Sequence, residues 1–99
     1  MTANRWLAEH TTGAPPMLRD RVIAHAGVIT EGATEAERLA LAAERVLAIV
    51  EEHPGGRTIA LDLLAADALI TLALLAQAES APEQLGAFAH SLLAAERIA

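Results

Sequence analysis

Residues 59–76 have the sequence IALDLLAADALITLALLA, and this stretch decides the fold. Leucine or isoleucine occurs at almost every angle around a helix drawn through it, and the pattern predicts one helix over residues 58–78. A helix that is apolar on all sides is either buried on all sides or embedded in a membrane. Asp62 and Asp67 would each cost about 2.5 to 3.5 kcal/mol at the middle of a membrane span. Basic clusters are also absent from the flanks, so the sequence argues for a central core helix and against a span.

Two helices are predicted before this stretch. Thr2 can cap a short helix over residues 3–10. The second helix begins at Pro16, where proline is tolerated, and ends at Gly27, or at Ile29 if the glycine is absorbed. The apolar spacing of this second helix predicts a buried face made of Leu18, Val22, Ala26 and Ile29.

The third helix has the clearest signals. Thr34 and Glu37 form a capping box at its start, and the sequence HPGG at residues 53–56 ends it. The apolar residues of this helix fall on one arc and predict its buried face, which consists of Ala36, Leu39, Ala40, Ala43, Val46, Leu47 and Val50.

A last helix is predicted after the central one. Ser80 and Glu83 make a second capping box, Pro82 favours a helix start, and the helix runs to about Arg97. The predicted buried face of this helix consists of Leu85, Phe88, Ala89, Leu92 and Ala95.

The chain of 99 residues fits a single helical domain, residues 1–99. The predicted fold is all-α, a compact bundle of four longer helices and a short N-terminal helix, with the apolar helix 58–78 at the centre. Hydrophobic residues make up 54 % of the chain, above the about 45 to 50 % that is typical of soluble domains. The other helices of so small a chain cannot cover every side of the central one. We therefore expect a homodimer or a permanent protein partner.

Composition excludes several functions. The net charge of −6 argues against a nucleic-acid partner, because phosphate binding needs a basic surface. All seven basic residues are arginines, a bias typical of GC-rich bacterial genomes, and the lack of lysine excludes Schiff-base and pyridoxal-phosphate chemistry. Cysteine is absent, which excludes disulfides and thiolate metal sites. The N-terminal sequence lacks the features of a signal peptide, so we expect a cytoplasmic protein, and no cofactor is predicted.

Asp62 and Asp67 are the candidates for a polar site, because a carboxylate on an apolar helix must be paired, hydrogen-bonded or neutralised. Asp62 lies near the start of its helix, where the helix dipole favours an anion, and is predicted to be a partly solvated structural residue. Asp67 lies deeper and shares a face with Thr71. It is predicted to form a structural ion pair or polar contact; the alternatives are a ligand-binding or catalytic carboxylate and a solvated position at the edge of the helix. The available cationic partners are Arg21, His25, His90 and Arg97.

The histidines raise the question of a metal site. None belongs to an HExxH motif or has the Glu-x-x-His spacing of di-iron bundles, so no metal site is predicted. His53 is expected to be a helix-end cation. His25 and His90 lie beside the buried faces of their helices and, with Asp67 and Thr71, form the candidate ligand-binding set.

Apolar residues outside the predicted core are candidates for a protein interface. Leu41 and Ala48 interrupt the polar face of the third helix. On the central helix the candidate interface residues are Leu64, Ala68, Leu72 and Leu75.

Three classes of function fit these residues. The first is a noncatalytic helical interaction or accessory protein that self-associates through apolar helix faces. The second is a small-molecule-binding protein or enzyme with a pocket beside Asp67 and a histidine. The third is a peripheral subunit of a membrane protein complex. No catalytic residue is predicted, because the sequence contains no serine elbow, cysteine or lysine that could act as a nucleophile, and this favours the noncatalytic class.

Overall fold

The computed structural model describes residues 3–53 and 55–98, with side chains described from residue 5 to residue 94 on either side of that gap. This part of the chain forms an all-α bundle, as predicted, of one short and four longer helices. The predicted cap at Thr2, the break at Pro54 and the side chains of Ala95 and Arg97 lie outside what is described. The elements are α1 (Ala3–His10), α2 (Pro16–Gly27), α3 (Glu35–Glu52), α4 (Arg57–Ser80), a 3₁₀ turn (Pro82–Gln84) and α5 (Leu85–Ile98).

The helix predicted at 58–78 is α4, and it lies at the centre of the bundle. It packs against α2, α3 and α5, and its most extensive contact is with α3. Several of its buried residues are alanines, which allow neighbouring helices to approach closely. The buried residues fall on one side of α4 and are Asp62, Ala65, Ala66, Leu69, Leu72, Ala73, Ala76 and Gln77. The chain therefore covers one side of its most apolar helix and leaves the other side exposed.

The capping box predicted at the start of α3 is confirmed. The hydroxyl oxygen of Thr34 accepts a hydrogen bond from the backbone N–H of Glu37 at 3.1 Å. The Glu37 carboxylate in turn accepts from the backbone N–H of Ala33 at 2.9 Å. Gly32 precedes this cap with φ at 102°, and a Cβ atom there would lie 2.9 Å from the backbone nitrogen of Arg38. Glycine is therefore the residue that fits this turn.

An arginine joins the start of α3 to the end of α2. The Arg38 guanidinium donates to both carboxylate oxygens of Glu35, at 2.6 Å from Nε and 3.1 Å from Nη2. Its Nη1 atom donates to the backbone carbonyl of Ala26 on α2. The two-pronged ion pair within α3 orients the guanidinium, and the hydrogen bond to Ala26 links α3 to α2.

The start of α5 differs from the prediction. Ser80 is the last residue of α4 and not a cap, and the 3₁₀ turn separates it from α5. The side-chain amide of Gln77 donates to the backbone carbonyl of Ala81 at 3.2 Å. Because Gln77 binds the chain just beyond Ser80, α4 extends past the predicted end at residue 78.

The short helix α1 is attached to the C-terminal end of α4. The indole Nε1 of Trp6 donates to Glu79 at 2.9 Å, and the Trp6 and His10 rings stack with centroids 4.0 Å apart. The Nε2 atom of His10 lies 3.4 Å from the other Glu79 oxygen. Leu7, which is fully buried, adds the apolar part of this contact.

Helix α5 packs less completely than predicted. Only one side of α5 faces α3 and α4, so the side chains predicted to be buried remain half-buried. They are Leu85, Phe88, Ala89 and Leu92.

Candidate functional site

A carboxylate on α4 contacts two cationic side chains of α2. Arg21 and His25 lie four residues apart and so face the same side of α2. The Nε atom of Arg21 donates to Oδ1 of Asp62 at 2.7 Å, and its Nη2 atom donates to Oδ2 at 3.4 Å. The Nε2 atom of His25 lies 2.9 Å from the same Oδ1. These three residues are referred to below as the Asp62 cluster.

The protonation of the Asp62 cluster follows from its contacts. Burial raises the pKa of the Asp62 carboxyl, but the hydrogen bonds from His25 and Arg21 and the positive charge of Arg21 together lower it below its ordinary value. Asp62 is therefore ionised at neutral pH. An ionised carboxylate only accepts hydrogen bonds, so Nε2 of His25 must carry the hydrogen in this contact.

The geometry of the Asp62 cluster fits a structural link between α2 and α4. The Asp62 side chain is only 6 % exposed, and both of its oxygens already accept hydrogen bonds. A reacting group would have to displace these partners to reach the carboxylate. The prediction of a structural role for Asp62 agrees with this arrangement, but the predicted partial solvation is wrong, because α2 covers the carboxylate.

Asp67 is exposed on the far side of α4. Five residues along an α-helix place its side chain about 140° from that of Asp62. Asp67 thus lies at a solvated edge, one of the alternatives predicted for it. The expected ion pair with Arg21 or His25 is wrong, because both of these side chains contact Asp62. The Thr71 hydroxyl donates to the backbone carbonyl of Asp67 at 3.1 Å, so these two residues share an exposed face as expected.

The structure does not bring the predicted ligand-binding set together. His25 lies in the Asp62 cluster, whereas Asp67 and Thr71 lie on the exposed face of α4. His90 is exposed on α5, and so is His53 at the end of α3. Among the side chains that the structure describes, no three His, Asp or Glu residues are grouped so that they could hold a metal ion.

The exposed side of α4 carries an apolar stripe. Leu64, Ala68, Thr71 and Leu75 follow one another at spacings of four, three and four residues and lie along one face; they are called the α4 strip. Leu64 is 56 % exposed and Leu75 is 40 % exposed, although both lie on the central helix. Leu63 is 50 % exposed and lies about 110° around the helix from the centre of the strip. Large apolar surface is thus concentrated on the exposed side of α4.

The other candidate interface residues lie elsewhere. Leu72 is only 8 % exposed, because it falls on the buried arc of α4 beside Leu69 and is not available to a partner. Leu41 is half-buried and Ala48 is exposed. Both lie about half a turn from the buried arc of α3, so they are not continuous with the α4 strip.

A pocket with a volume of about 260 Å³ lies between α3, α4 and α5. Among the described residues that line it, Glu44 is charged and the others are apolar. Neither Asp67 nor a histidine lines this pocket. Its lining residues are Ala40, Ala43, Glu44, Leu47, Ile70, Leu74, Ala89, Leu92 and Leu93.

Within the described residues, α4 is long and apolar enough to cross a membrane, as judged by length and composition. Its most apolar window of 18 residues has a mean hydropathy of 2.1, and 39 % of that window is buried inside the bundle. The core helix of a bundle can meet the same criteria.

Comparison of the chain with protein-family models, curated proteins and solved structures finds no match. The fold and the contacts described above therefore define the class of protein, a small all-α bundle, and any functional argument rests on its own residues.

Proposed function

We propose that this chain is a noncatalytic helical interaction protein that self-associates through the α4 strip. The observation that carries the proposal is the exposure of Leu64 and Leu75 on the central helix. Full burial of one leucine side chain stabilises a protein by about 1.5 to 3 kcal/mol. A second copy seated on the strip would remove four such side chains from water, two from each subunit.

Association through the α4 strip would also cost little conformational entropy. It lies on an α-helix whose opposite side is held by α2, α3 and α5, so little conformational freedom is lost when a partner binds. Ala68 and Thr71 are small and lie between the two leucines, which allows a second helix to approach closely.

The polar sites give weaker support to an enzyme or a small-molecule binder. The carboxylate of Asp62 is covered and fully engaged by Arg21 and His25. The apolar pocket between α3, α4 and α5 is slightly smaller than the about 300 Å³ at which ligand pockets usually begin, and it offers one charged lining residue, Glu44. Asp20 and Arg21 line a shallow groove that adjoins the Asp62 cluster, but the Asp62 carboxylate itself is covered.

A role as a peripheral subunit of a membrane complex is the remaining alternative. The high hydropathy of α4 favours it. The exposed face of α4, however, also carries Asp67 and Thr71, and a charged side chain is costly in contact with lipid or with an apolar transmembrane helix. In an aqueous protein interface, the small Thr71 side chain can lie within the contact while the Asp67 carboxylate stays at the solvated edge.

Sedimentation equilibrium at micromolar concentration tests the proposal. We expect wild-type protein to be a dimer, and we expect the Leu64→Glu variant to have a dissociation constant at least tenfold higher, because each interface then buries two carboxylates. Val28→Glu is the matched control, because Val28 is 57 % exposed and Leu64 is 56 % exposed. This control should remain dimeric.

Two results would count against the proposal. A monomeric wild-type protein at micromolar concentration would exclude self-association. Equal weakening by Leu64→Glu and Val28→Glu would show that added charge, and not the α4 strip, controls the assembly. Circular dichroism of each variant verifies that the helices are retained.

A further inference from the structure

The exposed face of α4 also indicates how two copies would be arranged, provided that the proposed self-association is correct. We infer that α4 packs against α4 of a second copy in antiparallel orientation, about a two-fold axis at the level of Leu69 and Ile70. A two-fold interface must be self-complementary, because each copy contributes the same surface. The sizes of the side chains along the α4 strip and the charges at the two ends of α4 both meet this condition.

The two large side chains of the strip lie symmetrically about that level. Leu64 lies five and a half residues before the midpoint between Leu69 and Ile70, and Leu75 lies the same number after it. Their directions around the helix differ by only about 20°. In an antiparallel pair, Leu64 of each copy therefore contacts the partner's Leu75, and both exposed leucines become covered.

The two small side chains of the strip lie nearest the axis. Ala68 and Thr71 flank the midpoint at one and a half residues each, so Ala68 of one copy contacts the partner's Thr71. Small residues at this point allow the helix axes to approach to about 8 Å. Asp67 points about 70° away from the centre of the strip, and its carboxylate stays at the solvated edge. The contact between the two strips thus buries no charged group.

Charge at the two ends of α4 favours the antiparallel over the parallel pair. Exposed Arg57 begins the helix, whereas exposed Glu79 lies near its end and exposed Glu83 follows in the 3₁₀ turn. A parallel pair would place like charges together at each end. An antiparallel pair places Arg57 level with residue 82 of the partner, at the acidic end of the partner's helix, and it also opposes the two helix dipoles.

The surface beside the strip widens the contact. A shallow groove between α2 and α4 is lined by Leu61, Met17 and Ala24 and by the charged Asp20 and Arg21, and Met17 is 68 % exposed. Leu61 lies eight and a half residues before the midpoint, at the level of the partner's Ala78. The contact therefore extends beyond a single helix, as the about 800 Å² per subunit of a stable interface requires.

Cross-linking through introduced thiols tests the arrangement, because the chain contains no cysteine of its own. The variants Leu64→Cys and Leu75→Cys are purified separately, mixed to exchange subunits, and treated with a bismaleimide that spans about 8 to 10 Å, the separation of packed helices. We expect a covalent dimer in the mixture that joins the two positions, identified by mass spectrometry of the linked peptides. Either variant alone should give at least tenfold less covalent dimer than the mixture, because identical thiols lie about 16 Å apart along an antiparallel pair.

The outcomes separate the arrangement from the self-association on which it rests. If each variant alone forms covalent dimer efficiently, and mixing the two does not increase the yield, the pair is parallel. That result would overturn the inference but leave the proposed dimerisation intact. A dimer by sedimentation that gives no link in any sample would show that the strip is not the contact. A monomeric wild-type protein would overturn both proposals. Val28→Cys, tested in the same way, gives the background level of linking.

Discussion

The Nε2 atom of His25 lies 2.9 Å from Oδ1 of Asp62, although the two residues are 37 positions apart in the sequence. Arg21 reaches the same oxygen at 2.7 Å from one turn earlier on α2. Much of the core is alanine, whose side chains do little to fix how one helix is rotated against another. The Asp62 cluster supplies a directional contact that holds α2 in one position against α4.

Removing this carboxylate should destabilise the fold. In Asp62→Ala, His25 and Arg21 lose their acceptor, and we expect the free energy of unfolding in urea to fall by about 1 to 3 kcal/mol. Asp67→Ala is the matched control, because it removes the same group from an exposed position of the same helix. Its effect should stay within about 0.5 kcal/mol. Equal losses in the two variants would show that the Asp62 cluster does not stabilise the bundle.

The stability of the bundle should depend on pH through Asp62. Because the pKa of this carboxyl is lower in the folded chain than its ordinary value, its contribution is fully present above the ordinary pKa of about 3.9 and is lost as the pH falls through the lowered value. We expect the free energy of unfolding to fall more steeply between about pH 5 and about pH 2 in wild-type protein than in Asp62→Asn. Parallel curves for the two proteins would exclude a lowered pKa.

The sequence predicted the helices better than it predicted the site. The bounds of α1 and α2 and the cap at Thr34 follow from local signals, namely proline at a helix start, glycine at a helix end and the Thr34–Glu37 spacing. Ser80 carried the same capping signal, but Gln77 binds the chain beyond it and α4 continues. A local capping motif therefore does not by itself determine where one helix ends and the next begins.

The error over the two aspartates has a different cause. The position of Asp67 in the middle of the apolar run predicts an ion pair there, whereas burial depends on the angle around the helix. Asp62 lies about 20° from Leu69 on the arc that also carries most of the buried alanines of α4. Two features of the sequence point to Asp62 as the buried carboxylate: this alanine-rich arc of α4 and the two cationic residues spaced four apart on α2. The sequence does not show which helices become neighbours, and so Arg21 and His25 could not be assigned to a partner.

Glycine at position 32 should be required for the turn before α3. In Gly32→Ala, the new Cβ would meet the backbone of Arg38 at 2.9 Å, in a residue whose φ is 102°. We expect a loss of about 1 to 3 kcal/mol in the free energy of unfolding. Gly27→Ala is the control, because a Cβ there meets nothing within 4 Å. That control should be neutral or slightly stabilising, and a comparable loss in both variants would contradict the account of the turn.

Reversing the charge at the start of α4 should weaken the proposed dimer specifically. In the antiparallel pair, Arg57→Glu replaces attraction to the acidic end of the partner's helix by repulsion. We therefore expect the dissociation constant at low salt to rise about threefold to tenfold, and the difference to shrink at high salt. An anion at a helix start favours folding, so the loss would not come from unfolding of α4.

Arg45→Glu is the control for this charge reversal, because it makes the same change in net charge at an exposed position on α3. It should alter the dissociation constant less than Arg57→Glu does. In a parallel pair, Arg57 would lie near a second Arg57, and its replacement would exchange one repulsion for another. Equal sedimentation behaviour of the two variants at both salt concentrations would therefore argue against the antiparallel arrangement, whereas a larger, salt-dependent effect at position 57 would support it.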